Sequence, residues 1–204
     1  MDGGRLPGAL RKGDVLVVVD VQADFVSGSL AIPGATAVIE PLNAWIDAFA
    51  RRGLPIVATR DWHPARHMSF REQGGPWPAH CVAGTPGAAF SPGLRLPAES
   101  WIISKATQPD RDAYSGFEGT TLGDWLKHQR ATRLFVGGLA TDYCVLHSVL
   151  DACERGFGTF VLADAIAAVN ARPGDGDRAR VTMEEAGAAF VKLADIPAEV
   201  APRG

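Results

Sequence analysis

Apolar residues fall along this chain in two patterns, short unbroken runs rich in Val and Ile, and longer stretches in which they return every three or four positions. The first run, Val15 to Val19, ends at Asp20, and a run apolar at every position suits a strand buried on both faces of a parallel sheet. From Thr36 to Arg52, Val38, Ile39, Leu42, Trp45, Ile46 and Phe49 recur at helical spacing, with Gly53 as the stop. Pro55 to Thr59 and Trp101 to Ser104 read as the second and third strands. The stretch between them is studded with Gly, Pro, His and Trp, and loops of that length tend to carry function. Leu122 to Gln129 reads as a short helix, Leu134 to Val136 with its flanks as the fourth strand, and Tyr143 to Arg155 as a strong helix. Phe160 to Ala163 is the fifth strand, Arg172 to Arg178 a loop, Ala179 to Gly187 a helix and Ala189 to Lys192 a last strand.

Strands alternating with helices predict a doubly wound α/β fold, a parallel sheet with helices on both faces joined by right-handed crossovers. Neither an internal repeat nor a linker interrupts the chain, and 204 residues are enough for one sizeable core. In such sheets ligands bind beyond the carboxyl ends of the strands, where strand order reverses.

Composition narrows the partners. A net charge of -3 and a pI near 5.9 leave no basic footprint for a phosphate backbone, so nucleic acid is excluded and a small molecule is expected. Cys81, Cys144 and Cys153 match neither a disulfide framework nor a Cys-x-x-Cys knuckle, which points to reduced thiols. With no apolar signal region and no apolar run of spanning length, a cytoplasmic protein without membrane contact is expected.

The strand-end rule selects residues. Asp20 follows strand one, Asp61 and His63 follow strand two, Lys105 follows strand three, and Cys144 comes just after strand four. Cys144 opens a helix after Gly137-Gly-Leu-Ala-Thr-Asp-Tyr, where Thr141 or Asp142 is a candidate cap. A helix amino terminus favours an anion, so it should lower the thiol pKa, and its unpaired N–H groups can hold an oxyanion. A lone buried cysteine is as a rule simply small and apolar, and Cys153, nine residues on and roughly 100° per residue round the helix, should pack on the opposite side. Asp20, after five apolar residues, needs a buried partner, for which Lys105 is the candidate: the carboxylate as general base, the ammonium steadying the thiolate.

Asp61, His63 and His80 offer one carboxylate oxygen and two imidazole nitrogens, a set suited to one divalent ion, Zn, Fe or Mn, with open positions for water or substrate. His67 is a candidate fourth ligand or a residue behind the ligands, and Cys81 competes with His80.

Together these segments resemble the nicotinamidase/pyrazinamidase branch of the isochorismatase-like cysteine hydrolases over nearly the whole chain. Asp20-Val-Gln-Ala-Asp-Phe25 resembles its opening motif. Asp61-Trp-His-Pro and Trp77-Pro-Ala-His-Cys-Val resemble its metal-binding segments, Lys105 its catalytic lysine, Tyr114-Ser-Gly-Phe-Glu118 a pocket segment, and Gly138-Leu-Ala-Thr-Asp-Tyr-Cys144 its nucleophile motif. The resemblance implies one domain over 1–204, a six-stranded parallel sheet, a cis Leu139-Ala140 peptide, and an oxyanion hole from the Ala140 and Cys144 N–H groups. It also implies a substrate pocket of Phe25, Trp77, Tyr114, Leu139 and Tyr143, a homo-oligomer, and deamidation of nicotinamide in pyridine-nucleotide salvage. Other readings are another amide, an N-carbamoyl compound or isochorismate as substrate, a metal-water hydrolase with a structural Cys144, or a non-catalytic binder.

Overall fold

The computed structural model describes residues 7–197. Six strands, β1 (Asp14–Val19), β2 (Ile56–Asp61), β3 (Trp101–Lys105), β4 (Arg133–Leu139), β5 (Gly158–Ala167) and β6 (Ala189–Val191), form one sheet in the order β3-β2-β1-β4-β5-β6. All neighbours pair in parallel, as expected from the alternation. The chain runs outward from β1 to β3, then returns to β4 and runs outward the other way. Strand order therefore reverses between β1 and β4, the crevice position for ligands in such sheets.

Every residue of β1 is buried because both faces of the sheet are covered. Leu16 and Val18 pack with Leu42, Trp45, Ile46 and Phe49 of α2 (Ala35–Ala50) on one face, after a short helix α1 (Ala23–Val26) that the sequence pattern does not announce. Val15, Val17 and Val19 face the other layer, built from α3 (Leu122–His128), α4 (Leu146–Glu154) and α5 (Asp175–Glu185). Fully burying one such aliphatic side chain contributes about 1.5–3 kcal/mol.

Three boundaries differ from expectation. The helix α5 begins at Asp175 rather than Ala179, because Asp175 and Asp177 occupy its first turn, where carboxylates favour the positive helix end. That charged start carries no apolar period. The strand β5 runs on to Ala167, since a register shift between Val136 and Gly138 lets Ile166 and Ala167 pair again with the end of β4. The chain after β4 opens as a π-helical turn over Thr141–Val145 before α4 proper. Cys153, half-buried, packs against the core cluster that also holds Cys144, in keeping with its reading as a packing residue.

At the amino end of the sheet Arg133 forms a buried fork with Asp14, Nε to Oδ1 at 2.6 Å and Nη2 to Oδ2 at 2.6 Å. Its guanidinium also donates to the carbonyls of Pro7 and Ala9, tying residues 7–9 to the amino end of the sheet.

Candidate active site

The strand ends bring Asp20, Asp61, Lys105 and Cys144 to one place. Lys105, the last residue of β3, is 1% exposed, and its Nζ contacts Asp61 Oδ1, lies 3.0 Å from Asp20 Oδ2, 3.1 Å from the Ala113 carbonyl and 3.4 Å from Cys144 Sγ. The ligand atoms of Asp20, Asp61 and Cys144 all fall within 4.8 Å of one another. Thr59 Oγ1 donates to Asp20 Oδ1 at 2.7 Å, while Asp20 Oδ2 has only the charge of Lys105 beside it and no aligned donor. Asp20 itself is held in the left-handed region, φ 48°, and Ala106, after Lys105, shares it at φ 50°. Such backbone is uncommon away from glycine and gathers at functional turns.

Charge is unevenly distributed in this cluster. Burial pushes the Asp20 carboxyl up, against the opposing pull of Lys105. Burial works on Asp61 in the same direction, but Lys105 and His63 outweigh it and hold this carboxyl well below the usual carboxylate range. Lys105, between two carboxylates, stays ammonium despite its burial. The Cys144 thiol is pushed up, by burial first and by Asp20 and Asp61, with Lys105 opposing. The expectation of a thiol acidified by a helix terminus is thus corrected: Cys144 is 5% exposed and its sulfur faces two carboxylates as well as an ammonium. The expected cap is absent too, since neither Thr141 nor Asp142 caps the turn. Asp142 instead accepts the N–H groups of Val169 and Asn170, each at 2.8 Å, fastening the cysteine turn to the loop after β5.

Asp61 belongs to a second cluster. Its Oδ2 lies 3.6 Å from His63 Nε2, and Asp61, His63 and His80 each present a ligand atom within 4.8 Å of the others. His63 Nδ1 is turned to the Ala106 carbonyl at 3.3 Å and His80 Nδ1 to the Pro78 carbonyl at 2.8 Å. These partners put the proton on Nδ1 and leave both Nε2 lone pairs free, the arrangement metal-bound imidazoles adopt. His63 Nε2 is buried with no hydrogen-bond partner, so the donor set fits a divalent ion. Both ring nitrogens of His67 meet protein partners. Its Nδ1 meets Ser69 Oγ at 2.7 Å, its Nε2 meets the Arg111 carbonyl at 3.1 Å, and its ring lies against His63. Cys81 points away into the core, fully buried, with its thiol pushed up by burial.

A narrow cavity joins the two clusters. It is lined by Phe25, Trp77, Tyr114 and Tyr143, with Asp61, His63, His80 and Cys144 at its base and Ala140 beside the sulfur. Trp77 Nε1 donates to the Tyr114 hydroxyl at 3.1 Å, and both rings pack on Tyr143, giving a rigid aromatic wall. Leu139 does not line it. As the final residue of β4 its side chain is fully buried in the α2 layer, although its peptide bond to Ala140 is cis.

Several supporting residues escape the strand-end reading. Gln22, wholly buried, accepts the Asp61 N–H and donates to the Asp61 carbonyl, both at 2.8 Å, and donates to the Ala88 carbonyl at 2.9 Å. Asp24 accepts the Cys81 N–H at 2.8 Å and so fixes the turn that carries His80. The signal for Gln22 was a polar residue directly beyond a strand; for Ile32, Ser69, Asp112 and Val169, all on the cavity wall, loop sequence offered none. Gly138, φ 120°, is dictated by packing, because a Cβ there would lie 2.1 Å from the Val19 carbonyl oxygen.

A six-stranded parallel sheet with a buried Asp, Lys and Cys over its switch point and an Asp-His-His set beside them defines a class of hydrolase. The isochorismatase domain matches residues 14–195, and the chain belongs to that family. It is 38% identical to a nicotinamidase of Escherichia coli, over 88% of this chain and 95% of the relative. Pyrazinamidase of Pyrococcus horikoshii, solved in complex with zinc, superposes with a TM-score of 0.85 at 46% identity, covering 89% of this chain and 99% of that one. PnC1 of L. infantum, solved with nicotinate, superposes at 0.86 with 34% identity, covering 94% and 98%. Among the described residues no helix is long and apolar enough to cross a membrane.

Proposed function

We propose that this protein is a nicotinamidase, a cysteine amidohydrolase converting nicotinamide to nicotinic acid and ammonia. The observation that carries the reading is Lys105 Nζ, in contact with Asp61, 3.0 Å from Asp20 and 3.4 Å from Cys144 Sγ at the base of an aromatic-walled cavity. Relatives acting on nicotinamide and one solved with nicotinate support the choice of substrate.

Because burial raises both the Asp20 carboxyl and the Cys144 thiol, the resting sulfur is protonated and its partner is a stronger base than an ordinary carboxylate. Asp20 takes the thiol proton as Sγ attacks the carboxamide carbon, and Lys105 offsets the charge on sulfur. The Ala140 and Cys144 N–H groups hold the oxyanion. The C–N bond breaks as Asp20 returns the proton to the leaving nitrogen, giving ammonia and a thioester. Water, giving its proton to Asp20, then adds to the thioester. Its collapse releases the acid and restores the thiol. Phe25, Trp77, Tyr114 and Tyr143 hold the ring. Asp61, His63 and His80 would hold a divalent ion, Zn, Fe or Mn, which when bound supplies an electron-pair acceptor for the ring nitrogen or for water.

The reading carries with it a single domain over 1–204, a cytoplasmic setting and a homo-oligomer, the last tested by sedimentation. Ammonia release over a panel of nicotinamide, pyrazinamide and N-carbamoyl compounds tests the substrate. Nicotinamide and pyrazinamide should be turned over and N-carbamoyl compounds should not. An inert nicotinamide sample would move the protein to another branch of the family.

A further inference from the structure

One carboxylate joins the turn that carries Cys144 to the loop after β5. Asp142, 9% exposed, accepts the Val169 N–H at Oδ1 and the Asn170 N–H at Oδ2, each at 2.8 Å. The two sides depend on it unequally. The cysteine turn keeps bonds of its own, since the Tyr143 and Val145 N–H groups both donate to the Ala140 carbonyl, at 3.1 and 3.0 Å, and the winding runs on into α4. Among the described residues the Val169 and Asn170 N–H groups have no acceptor but Asp142. Beyond them Asn170 stands at φ 51° and its Oδ1 accepts the Gly176 N–H at 2.9 Å, so the loop is next held at the first turn of α5. Val169 itself lines the cavity together with Ala140, Tyr143 and Cys144, and packs on the core of the α2 layer.

A carboxylate that accepts two adjacent backbone N–H groups makes charge-assisted bonds and fixes both the position and the tilt of that backbone. Because this carboxylate belongs to the nucleophile's own turn, it references the loop to the sulfur. We infer that Asp142 is a positioning residue that acts through Val169: it sets where this apolar wall stands relative to Cys144 Sγ, and so how a substrate ring is presented to the thiol. The inference deepens the reading of the site given above and rests on it. Asp142 has no part in the bond-making steps. Loss of its grip should weaken the hold on a ring-bearing ligand and leave the reactivity of the thiol as it was, since the cysteine turn keeps its own hydrogen bonds.

Asp142→Asn keeps the volume of the side chain, but its amide oxygen replaces only one acceptor and its NH₂ faces the second N–H. On zinc-supplemented protein, alkylation of Cys144 by iodoacetamide, which carries no ring, is followed by mass spectrometry. It is measured alone and with increasing pyridine-3-methanol, a ring without a scissile amide. Asp142→Asn should be alkylated within about twofold of the wild-type rate, while the pyridine concentration giving half-protection rises about fivefold or more. Val169→Ala should raise that concentration likewise, and the double variant should go no more than about twofold beyond the larger single effect, as expected where one residue acts through the other. Equal half-protection in wild type and Asp142→Asn, including no protection of either, overturns the inference. Equal half-protection in Val169→Ala overturns it too, and decides the matter if Asp142→Asn does not fold. Effects that multiply in the double variant, or a changed alkylation rate of Asp142→Asn without the pyridine, would also overturn it. Ammonia release from nicotinamide by wild type is followed in parallel. Its absence would sink the proposed reaction, whereas the protection curves decide the role of Asp142 by themselves.

Discussion

Asp20 Oδ2 lies 3.0 Å from Lys105 Nζ, with both side chains wholly out of solvent and no aligned donor on that oxygen. Among the described residues, Thr59 supplies the one hydroxyl on the same carboxylate, at Oδ1. This asymmetry leaves one oxygen oriented by a hydrogen bond and one free to take a proton.

A pH dependence follows. Asp20 acts as base only when ionised, and its carboxyl is raised by burial, so kcat/KM should fall with acid along a limb lying above the ordinary carboxylate range. Thr59 stabilises the ionised form, and removing its hydroxyl raises the carboxyl further. Thr59→Val should therefore shift the acid limb to higher pH, read from a pH–rate profile; a shift to lower pH or none would show that another group sets that limb.

Gln22 grips both backbone groups of Asp61. Gln22→Ala leaves that N–H and two carbonyls buried without partners and frees a ligand strand end. Metal affinity, measured by competition with a chelating dye, should fall roughly 10–100-fold, the range typical when the partner orienting a ligand is lost. Full-affinity binding by the variant would show that Asp61 needs no such clamp.

Asp14 and Arg133 sit at the opposite end of the sheet from the cavity. Asp14→Asn leaves a buried guanidinium short of its counter-charge and should cost about 3–5 kcal/mol of stability in denaturant unfolding. At a temperature where the variant is folded its kcat should match wild type. A selective loss of kcat would mean that the amino end of the sheet communicates with the site.

Much of this was legible in the sequence because it rests on short-range pattern. Val15 to Val19 followed by Asp20 announces a buried strand and what stands at its end, and β2, β3 and β4 repeat the lesson with Asp61, Lys105 and the cysteine turn. What stayed hidden depends on the third dimension. Cys144 sits at a helix start as read, yet its thiol is raised rather than lowered, because it is buried and two carboxylates from the ends of β1 and β2 approach it. Leu139 neighbours the site in the chain, but the alternation of a strand turns its side chain into the core. The π-helical winding at Thr141–Val145 has no apolar period of its own, so it could not be read from the sequence.

The account depends above all on sulfur being the nucleophile, and the most direct measurement is the rate of ammonia release from nicotinamide by Cys144→Ala with its metal content verified. A fall of about 10⁴-fold or more with metal retained is predicted, the scale seen when a covalent nucleophile is deleted. Release within tenfold of wild type would contradict the account and leave a metal-activated water as the attacking group.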